Sequence, residues 1–320
     1  MEQISLIQSA PLSLVGQISI HLTDICNSAC DFCVVASPYY KKDTVRIEDV
    51  FAFVRESADL GLGVANIHGG EPTISPHLPA LLQHLRLHGF AEIIVQTNAV
   101  RLSDNTFLDK LISAGLSSLI VSVHGHTAEL HDRQTQHKHG FARTLMGIEN
   151  AIARGLRVQT NTVITSANKD NLGDIASLVT ALGCSHLNFS NLHPVGSATM
   201  VLDRLLVSFD EVVPSLRTVI ARLTSTGVTI SVEGFPDCVV RSLSAQSIES
   251  LGRRVRMFMR GRVLDNYDDF MHSTQRSYHG VCAACGAKSI CGGIYPEYLT
   301  RFGPGRFVRP FSPHVINAVD

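Results

Sequence analysis

The chain has 320 residues, of which 45% are hydrophobic and 17% charged, and its formal net charge at pH 7 is -1. This hydrophobic content excludes a largely disordered chain and predicts a packed core. A charge this close to zero provides no field that would attract polyanions, so we expect neither nucleic acid nor a membrane surface as a partner.

The N-terminal region lacks the basic and apolar segments of a secretion signal, and no later apolar run is long enough to span a bilayer. We therefore expect a cytoplasmic protein. In a reducing compartment, eight cysteines are expected to serve as metal ligands or catalytic thiols rather than as disulfides.

Short β-rich apolar runs alternate with longer amphipathic runs, a pattern that predicts parallel strands joined by helical crossovers. Six such units are typical of a partial barrel, so the predicted fold is α/β, a partial (βα)6 TIM-like barrel. The predicted strands are 17–22, 64–68, 92–97, 118–124, 157–164 and 186–190. The predicted helices are 48–60, 77–88, 103–114, 143–153 and 172–182.

After residue 205 the alternation changes to a predicted helix at 209–224, a strand at 228–232 and a cysteine-bearing tail with glycine-rich turns. We therefore divide the chain into a lead-in over 1–16, a barrel over 17–205 and a small C-terminal module over 206–320.

Three cysteines, Cys26, Cys30 and Cys33, lie in the segment CNSACDFC directly after the first predicted strand. Structural zinc sites use four ligands, so three thiolates on one loop leave one coordination position open for a small molecule. A zinc loop or a buried group of thiols is the alternative interpretation of this segment.

The C-x3-C-x2-C spacing at this position resembles that of the radical S-adenosylmethionine (SAM) superfamily, and the resemblance extends over about residues 17–200. Phe32 matches the aromatic residue before the last cysteine. The resemblance implies that Cys26, Cys30 and Cys33 hold a 4Fe-4S cluster whose fourth iron binds the amino and carboxylate groups of SAM.

Other predicted strand ends match the family too. HGGEPT contains its GGE motif, whose carboxylate would receive the SAM ammonium, and QTNA resembles its ribose segment with Ala99 in place of the usual glycine. Active sites of parallel barrels lie at the carboxyl ends of the strands. Together with Phe32, the predicted SAM contacts are Gly69, Gly70, Glu71, Thr97, Asn98, Ser122, Asn161 and Val163, the last against adenine.

Four further residues near these strand ends have two competing interpretations. Arg133 would pair with the SAM carboxylate or lie at the surface. His68, His124 and His193 would either act directly or line the rim as polar side chains whose hydrogen bonds are satisfied.

A second group of cysteines, Cys282, Cys285 and Cys291, forms C-x2-C-x5-C, and Cys238 lies upstream. Four thiolates saturate an iron–sulfur cluster. This tail resembles the twitch module, the shorter relative of the SPASM domain, which implies one auxiliary 4Fe-4S cluster. Zinc is the competing metal, and without Cys238 the cluster would have an open iron for substrate. Cys184 is expected in the core.

The resemblance implies a radical SAM oxidoreductase. A low-potential donor of flavodoxin or ferredoxin type would supply an electron for cleavage of SAM to a 5′-deoxyadenosyl radical, which removes a hydrogen atom from the substrate. The expected substrate is a ribosomal peptide in natural-product maturation. The alternatives are dehydrogenation, epimerisation or cyclisation of a sugar, nucleotide or natural-product intermediate, or a non-catalytic, metal-stabilised or electron-transfer protein.

Overall fold

A computed structural model describes residues 16–224, 226–243, 246–247, 255–289 and 291–312. The strands are β1 Gln17–His21, β2 Val64–His68, β3 Glu92–Thr97, β4 Ser118–Ser122, β5 Arg157–Val163, β6 His186–Ser190, β7 Thr229–Glu233, β8 Gln246–Ser247, β9 Val255–Met259 and β10 Arg262–Leu264. The helices are α1 Ile47–Asp59, α2 Leu78–Leu87, α3 Asn105–Ala114, α4 Ala128–Thr135, α5 Gly140–Ala153, α6 Leu172–Ala181, α7 Leu202–Leu205, α8 Phe209–Leu223, α9 Asp237–Leu243, α10 Tyr267–Thr274 and α11 Pro296–Phe302.

All ten strands belong to one sheet in the order β10-β9-β1-β2-β3-β4-β5-β6-β7-β8. The pairs from β9 through β8 are parallel, and β10 is antiparallel to β9. Because β1 to β6 are parallel and alternate with helices, the partial TIM-like architecture is confirmed. The predicted helices 48–60, 77–88, 103–114, 143–153, 172–182 and 209–224 differ from the observed ones by at most three residues.

The sheet is wider than the six predicted strands. Residues after 205 add β7 and β8 next to β6, and β9 and β10 next to β1. The tail is therefore joined to the barrel by strand ladders and is not structurally separate from it. The functional division at residue 205 stays a prediction.

Alternate strand residues face opposite sides of the sheet. On β1 and β2, Ile18, Ile20 and Ile67 are fully buried in the same apolar cluster as Val50 of α1. Ser19, one position along, lines the interior cavity of the barrel. The apolar side of the sheet thus packs under the helices, and the polar side forms the cavity wall.

Two further expectations concern the core and the membrane. Cys184 is 2% exposed and belongs to the main apolar cluster, as predicted. Within the part of the chain that the structure describes, no helix combines the length and apolarity required to cross a bilayer.

Candidate functional site

A cavity of about 410 Å³ opens inside the barrel and reaches the carboxyl ends of the strands. This volume lies in the range of small-molecule sites. Twelve of the thirteen residues predicted for the first cluster and for SAM line it. They are Cys26, Cys30, Phe32, Cys33, Gly69, Gly70, Glu71, Thr97, Asn98, Ser122, Asn161 and Val163.

The cysteine loop starts at a buried carboxylate. Asp24, which is 0% exposed, accepts hydrogen bonds from His21 Nε2 at 2.9 Å, from Arg260 Nε at 2.6 Å and from the Thr44 backbone N–H at 3.0 Å. Burial opposes ionisation of this group, but the hydrogen bonds from Thr44, Arg260 and His21 outweigh it and lower the pKa of Asp24 to about 2. The carboxylate therefore stays charged and fixes the chain two residues before Cys26.

The three loop thiols face the cavity near one another. Burial raises the pKa of Cys26 to about 12 and that of Cys30 well above its usual value, and the charges of the neighbouring cysteines raise both further. The Ser28 backbone N–H donates to Cys26 Sγ at 3.4 Å. Three soft donors with mutually repelling thiolates favour a cationic metal centre, so the donor set fits the cluster that the sequence predicts.

The GGE motif packs directly on this loop. The Gly70 N–H donates to the Thr23 carbonyl at 2.6 Å and the Glu71 N–H to the Ile25 carbonyl at 2.8 Å. A Cβ at Gly69 would lie 2.5 Å from the Thr23 carbonyl oxygen, and one at Gly70 would overlap the Ile25 carbonyl. Both glycines are thus required by the chain's own backbone, in addition to the ligand approach that the sequence suggests.

Glu71 is buried, and both of its carboxylate oxygens accept hydrogen bonds. Its Oε1 accepts from the Thr97 hydroxyl at 2.6 Å and from the Thr73 hydroxyl at 2.6 Å, and its Oε2 accepts from the Asn98 backbone N–H at 2.7 Å. Burial raises the pKa of Glu71, while the hydrogen bonds from Asn98, Thr73 and Thr97 oppose the rise. Its predicted contact with the SAM ammonium stays a prediction, and Oε2 is the less occupied oxygen.

The QTNA segment connects the third strand to the cysteine loop. Asn98 Nδ2 donates to Asn27 Oδ1 at 2.7 Å, so the predicted ribose contact also holds the loop. Ala99, which replaces the usual glycine, adopts a left-handed conformation with φ 59°. That conformation favours glycine, which explains the residue usual at this position.

His124 is buried behind Phe32, with the two ring centroids 4.6 Å apart. Burial, together with the charge of His131, lowers the pKa of His124 to about 3. The Val163 backbone N–H donates to His124 Nδ1 at 3.2 Å. The neutral ring therefore carries its proton on Nε2.

Arg133 is the one predicted SAM residue that the structure does not bring to the others. Helix α4 turns Leu130, His131 and Gln134 toward the protein, which leaves Arg133 exposed and outside the cavity lining. Helix α4 was not predicted from the sequence, so the direction in which the Arg133 side chain points could not be derived. The structure supports the surface interpretation of Arg133.

Two polar groups of β2 face the cavity: Asn66, which the sequence analysis missed, and His68, which it named as a rim residue. On β2, Asn66 Oδ1 and His68 Nε2 line the cavity, buried and without a hydrogen-bond partner among the described residues. Burial lowers the pKa of His68 to about 3, so its ring is neutral. Unsatisfied buried polar atoms are costly, so a ligand in the cavity would stabilise both.

The opposite wall carries a hydrogen-bonded network. Asn188 Nδ2 donates to Asn161 Oδ1 at 3.0 Å and to Glu233 Oε2 at 3.2 Å, and the Ser190 hydroxyl lies within donating distance of the same two oxygens, at 2.8 and 3.0 Å. The sequence pattern that could have predicted this wall is the polar residue at every second position of HLNFS, a fully buried strand whose other residues are apolar. His193 also lines the cavity.

The charged side chains among the described lining residues are all acidic: Glu71, Glu233 and Asp268. A wall of this sign favours hydroxyl, amide and amino groups over phosphates.

The second cysteine group also converges. Cys238, Cys282, Cys285 and Cys291 line one small cavity, so Cys238 reaches the other three. Backbone N–H groups of Gly293 and Phe311 donate to the sulfurs of Cys291 and Cys285 at 3.4 and 3.3 Å. Burial raises the pKa of Cys238 to about 11, and the charges of Cys291 and Cys282 raise it further. Such N–H donors to sulfur suit a thiolate-bound metal centre.

Although each cysteine group lines one cavity, neither group, nor any other three His, Cys, Asp or Glu side chains in the described ranges, has the spacing that would bind a single metal ion.

Comparison with known proteins places these features in context. The sequence profile of the radical SAM superfamily matches residues 20–182, just over half of the chain. A probable GTP 3′,8-cyclase of Saccharolobus islandicus is 29% identical over 180 residues, which are 56% of this chain and 58% of that protein. One from Metallosphaera sedula is 27% identical over 212 residues, which are 64% of this chain and 63% of that protein.

The chain thus spans less than two thirds of the length of these curated relatives. The solved structure of Streptococcus suis SuiB bound to SAM resembles the whole fold, with a TM-score of 0.68 at 16% identity over 93% of this chain and 77% of that one. SuiB has also been solved with its precursor peptide SuiA, at 17% identity. With its cysteine loop, its open parallel barrel and a profile match over more than half its length, this chain belongs to the radical SAM superfamily.

Proposed function

We propose that this radical SAM enzyme cleaves SAM reductively at a 4Fe-4S cluster held by Cys26, Cys30 and Cys33 and oxidises a C–H position of a small molecule. The observation that carries the proposal is that the three thiols and nine of the predicted SAM contacts line one cavity. When bound, the cluster and SAM supply the 5′-deoxyadenosyl radical. A low-potential donor of flavodoxin or ferredoxin type provides the electron.

The chain's own residues position SAM and exclude water. Glu71 Oε2, which receives the Asn98 N–H, is the acceptor for the SAM ammonium. Phe32 and the Val163 side chain provide apolar surface at the cysteine loop and at the end of β5. The fixed Nε2–H of His124 is a neutral donor at the end of β4, available to a ribose or substrate oxygen.

A small-molecule substrate has more support than the ribosomal peptide. The curated relatives are named as cyclases of a nucleotide, while the likeness to SuiB at 16% identity concerns the fold alone. The lining of the cavity includes many polar side chains, as expected for a site that takes a polar ligand. Its acidic lining favours a substrate without phosphates, so GTP itself is not expected to be turned over.

The test is anaerobic reconstitution followed by dithionite and SAM, with chromatography of 5′-deoxyadenosine. We expect 5′-deoxyadenosine to form, and guanosine to increase its formation at least as much as GTP does. Well-reconstituted protein that makes none would favour the electron-transfer or metal-stabilised alternative. A larger response to GTP, with a cyclised product, would contradict the phosphate-free substrate and leave SAM cleavage intact.

We further propose that Cys238, Cys282, Cys285 and Cys291 would hold an auxiliary 4Fe-4S cluster. When bound, that cluster would supply an acceptor for the electron that oxidation of the substrate releases, which would make the enzyme an oxidoreductase. Four thiols around one cavity support four protein ligands, and N–H donors at two sulfurs support a thiolate centre. With four ligands the cluster has no iron open to substrate.

Replacement of Cys238 by alanine tests this auxiliary site. The parent should contain about eight iron atoms per chain and the variant about half as many, because a 4Fe-4S cluster requires its full ligand set. Iron and sulfide analysis checks the result, and Cys184→Ala, a core thiol outside both groups, is the control. A parent with about four irons and one zinc would identify the competing metal.

A further inference from the structure

We propose that Arg260 is a positioning residue for the first cluster, because its guanidinium joins the two ends of the cysteine loop. The inference rests on the proposed cluster at Cys26, Cys30 and Cys33. It extends the site to the C-terminal part of the chain, which lies beyond the profile match at residues 20–182.

The guanidinium of Arg260 makes three contacts around the loop. Its Nε donates to Asp24 Oδ1 at 2.6 Å, its Nη2 donates to the Val35 carbonyl at 2.7 Å, and its carbon lies 4.3 Å from the centre of the Tyr40 ring. Asp24 precedes the first cysteine by two residues, and Val35 follows the last by two. A planar guanidinium holds its donors in a rigid fork, so these bonds fix the distance between the loop ends.

The β9–β10 hairpin delivers this side chain to the loop. Strand β9 pairs in parallel with β1, with Met257 opposite Ser19 and Phe258 opposite Ile20. Both strands therefore end at the same edge of the sheet, where the hairpin turn follows β9 and the cysteine loop follows β1.

The turn itself has an unusual residue. Arg260 and Gly261 have φ of 51° and 74°, the pair of left-handed conformations of a two-residue hairpin turn. Asn, Asp or Gly is preferred at the first of these positions, and arginine costs backbone energy there. The contacts of the side chain with Asp24, Val35 and Tyr40 offset that cost.

The acceptor of the Arg260 Nε–H is a buried carboxylate that other hydrogen bonds hold in place. Asp24 is 0% exposed and also accepts the Thr44 N–H at 3.0 Å and the His21 Nε2–H at 2.9 Å. Inside the loop, the Cys33 N–H donates to the Cys30 carbonyl at 3.2 Å. The loop is thus held at both ends by one side chain, with a local hydrogen bond between two of the proposed ligands.

Strand β9, which leads into this turn, offers a matched control. Arg256 donates to Ser57 Oγ at 2.7 Å and to Asp265 Oδ1 at 3.1 Å and stacks over Phe53 at 4.9 Å, so it links β9 to α1 and not to the cysteine loop. Arg256→Gln removes a comparable set of interactions from β9. Any effect of general destabilisation of this strand should appear in both variants.

The experiment compares the parent, Arg260→Gln, Arg260→Lys and Arg256→Gln. Hydrogen exchange of residues 26–36, followed by mass spectrometry on the cluster-free protein, should be about tenfold faster or more in Arg260→Gln, a factor that corresponds to about 1.4 kcal/mol. Lysine keeps the charge without the fork, so Arg260→Lys should be intermediate. Arg256→Gln should exchange in this segment like the parent.

In the reconstituted proteins, the reduced first cluster with SAM bound should give shifted electron paramagnetic resonance g-values in Arg260→Gln and parent-like values in Arg256→Gln. Parent-like exchange and parent-like spectra in Arg260→Gln, or equal changes in both glutamine variants, would overturn the inference. A parent that binds no iron at the loop is failure of the proposed function. In that case the exchange measurement still tests whether Arg260 holds the two ends of the cysteine loop.

Discussion

Replacement of Cys26, Cys30 and Cys33 together by alanine is expected to lower 5′-deoxyadenosine formation by about two orders of magnitude or more, to the level of a protein-free reaction. Loss of even an outer-shell partner of a metal costs about 10- to 100-fold, and this variant removes every protein ligand of the proposed cluster. Chromatography after reduction with dithionite measures the product, and iron analysis should show that about half of the iron remains, at Cys238, Cys282, Cys285 and Cys291.

Cys184→Ala is the control for this triple variant, because its thiol is 2% exposed within the apolar core and belongs to neither group. It should keep the parental iron content and the parental rate. A triple variant that forms 5′-deoxyadenosine like the parent would show that the site of SAM cleavage lies elsewhere. Loss of activity with the parental iron content would indicate that the loop is required for another reason.

The motifs at the strand ends in the first half of the chain could be predicted because each directly follows a strand that its apolar pattern identifies. Parallel strands bring their carboxyl ends to one edge, so CNSACDFC, HGGEPT and QTNA were expected to meet, and the cavity lining contains residues of all three. The exception is Arg133. Its helix, Ala128–Thr135, is short and polar, and without that helix the direction of the side chain could not be derived.

The C-terminal half was harder to predict because its strands are short and pair with distant parts of the chain. Strand Val255–Met259 lies next to Gln17–His21 in the sheet, and no local pattern specifies that partner. The contact of Arg260 with Asp24 follows only from this pairing. Cysteine spacing predicted a second metal site, which stays a prediction, whereas the approach of Cys238 to the other three cysteines required the fold.

The inner faces of the strands illustrate a different limit. The sequence identified Asn161 through the family resemblance, but the wall formed with Asn188, Ser190 and Glu233 depends on the register of three neighbouring strands. Asn161 stands opposite Asn188, and Ser190 opposite Glu233. Side chains on adjacent strands in register face the same side of the sheet, which is why these four groups share hydrogen bonds.

Acidification from pH 7 to pH 5.5 is expected to destabilise the cluster-free protein by roughly 4 kcal/mol through three buried histidines. Burial lowers the pKa of His68 and of His124 to about 3 and that of His131 to about 4, with the charges of neighbouring histidines adding to the effect. In the unfolded chain a histidine titrates near pH 6.5. Between that pH and the folded pKa values, the unfolded chain binds more protons than the folded one.

Stability should therefore be complete above about pH 6.5 and fall as the pH decreases, by up to about 1.4 kcal/mol per pH unit for each histidine. Urea unfolding at pH 7 and pH 5.5 measures the difference. His131→Gln should reduce the difference by about a third, and His77→Gln, at an exposed position, should leave it unchanged. Equal stability of the parent at the two pH values would mean that these rings are reached by water and charge freely in the fold. The neutral Nε2–H donor assigned to His124 at the cavity would then be wrong, because a histidine that titrates normally is partly cationic at pH 5.5 and accepts no hydrogen bond from the Val163 N–H.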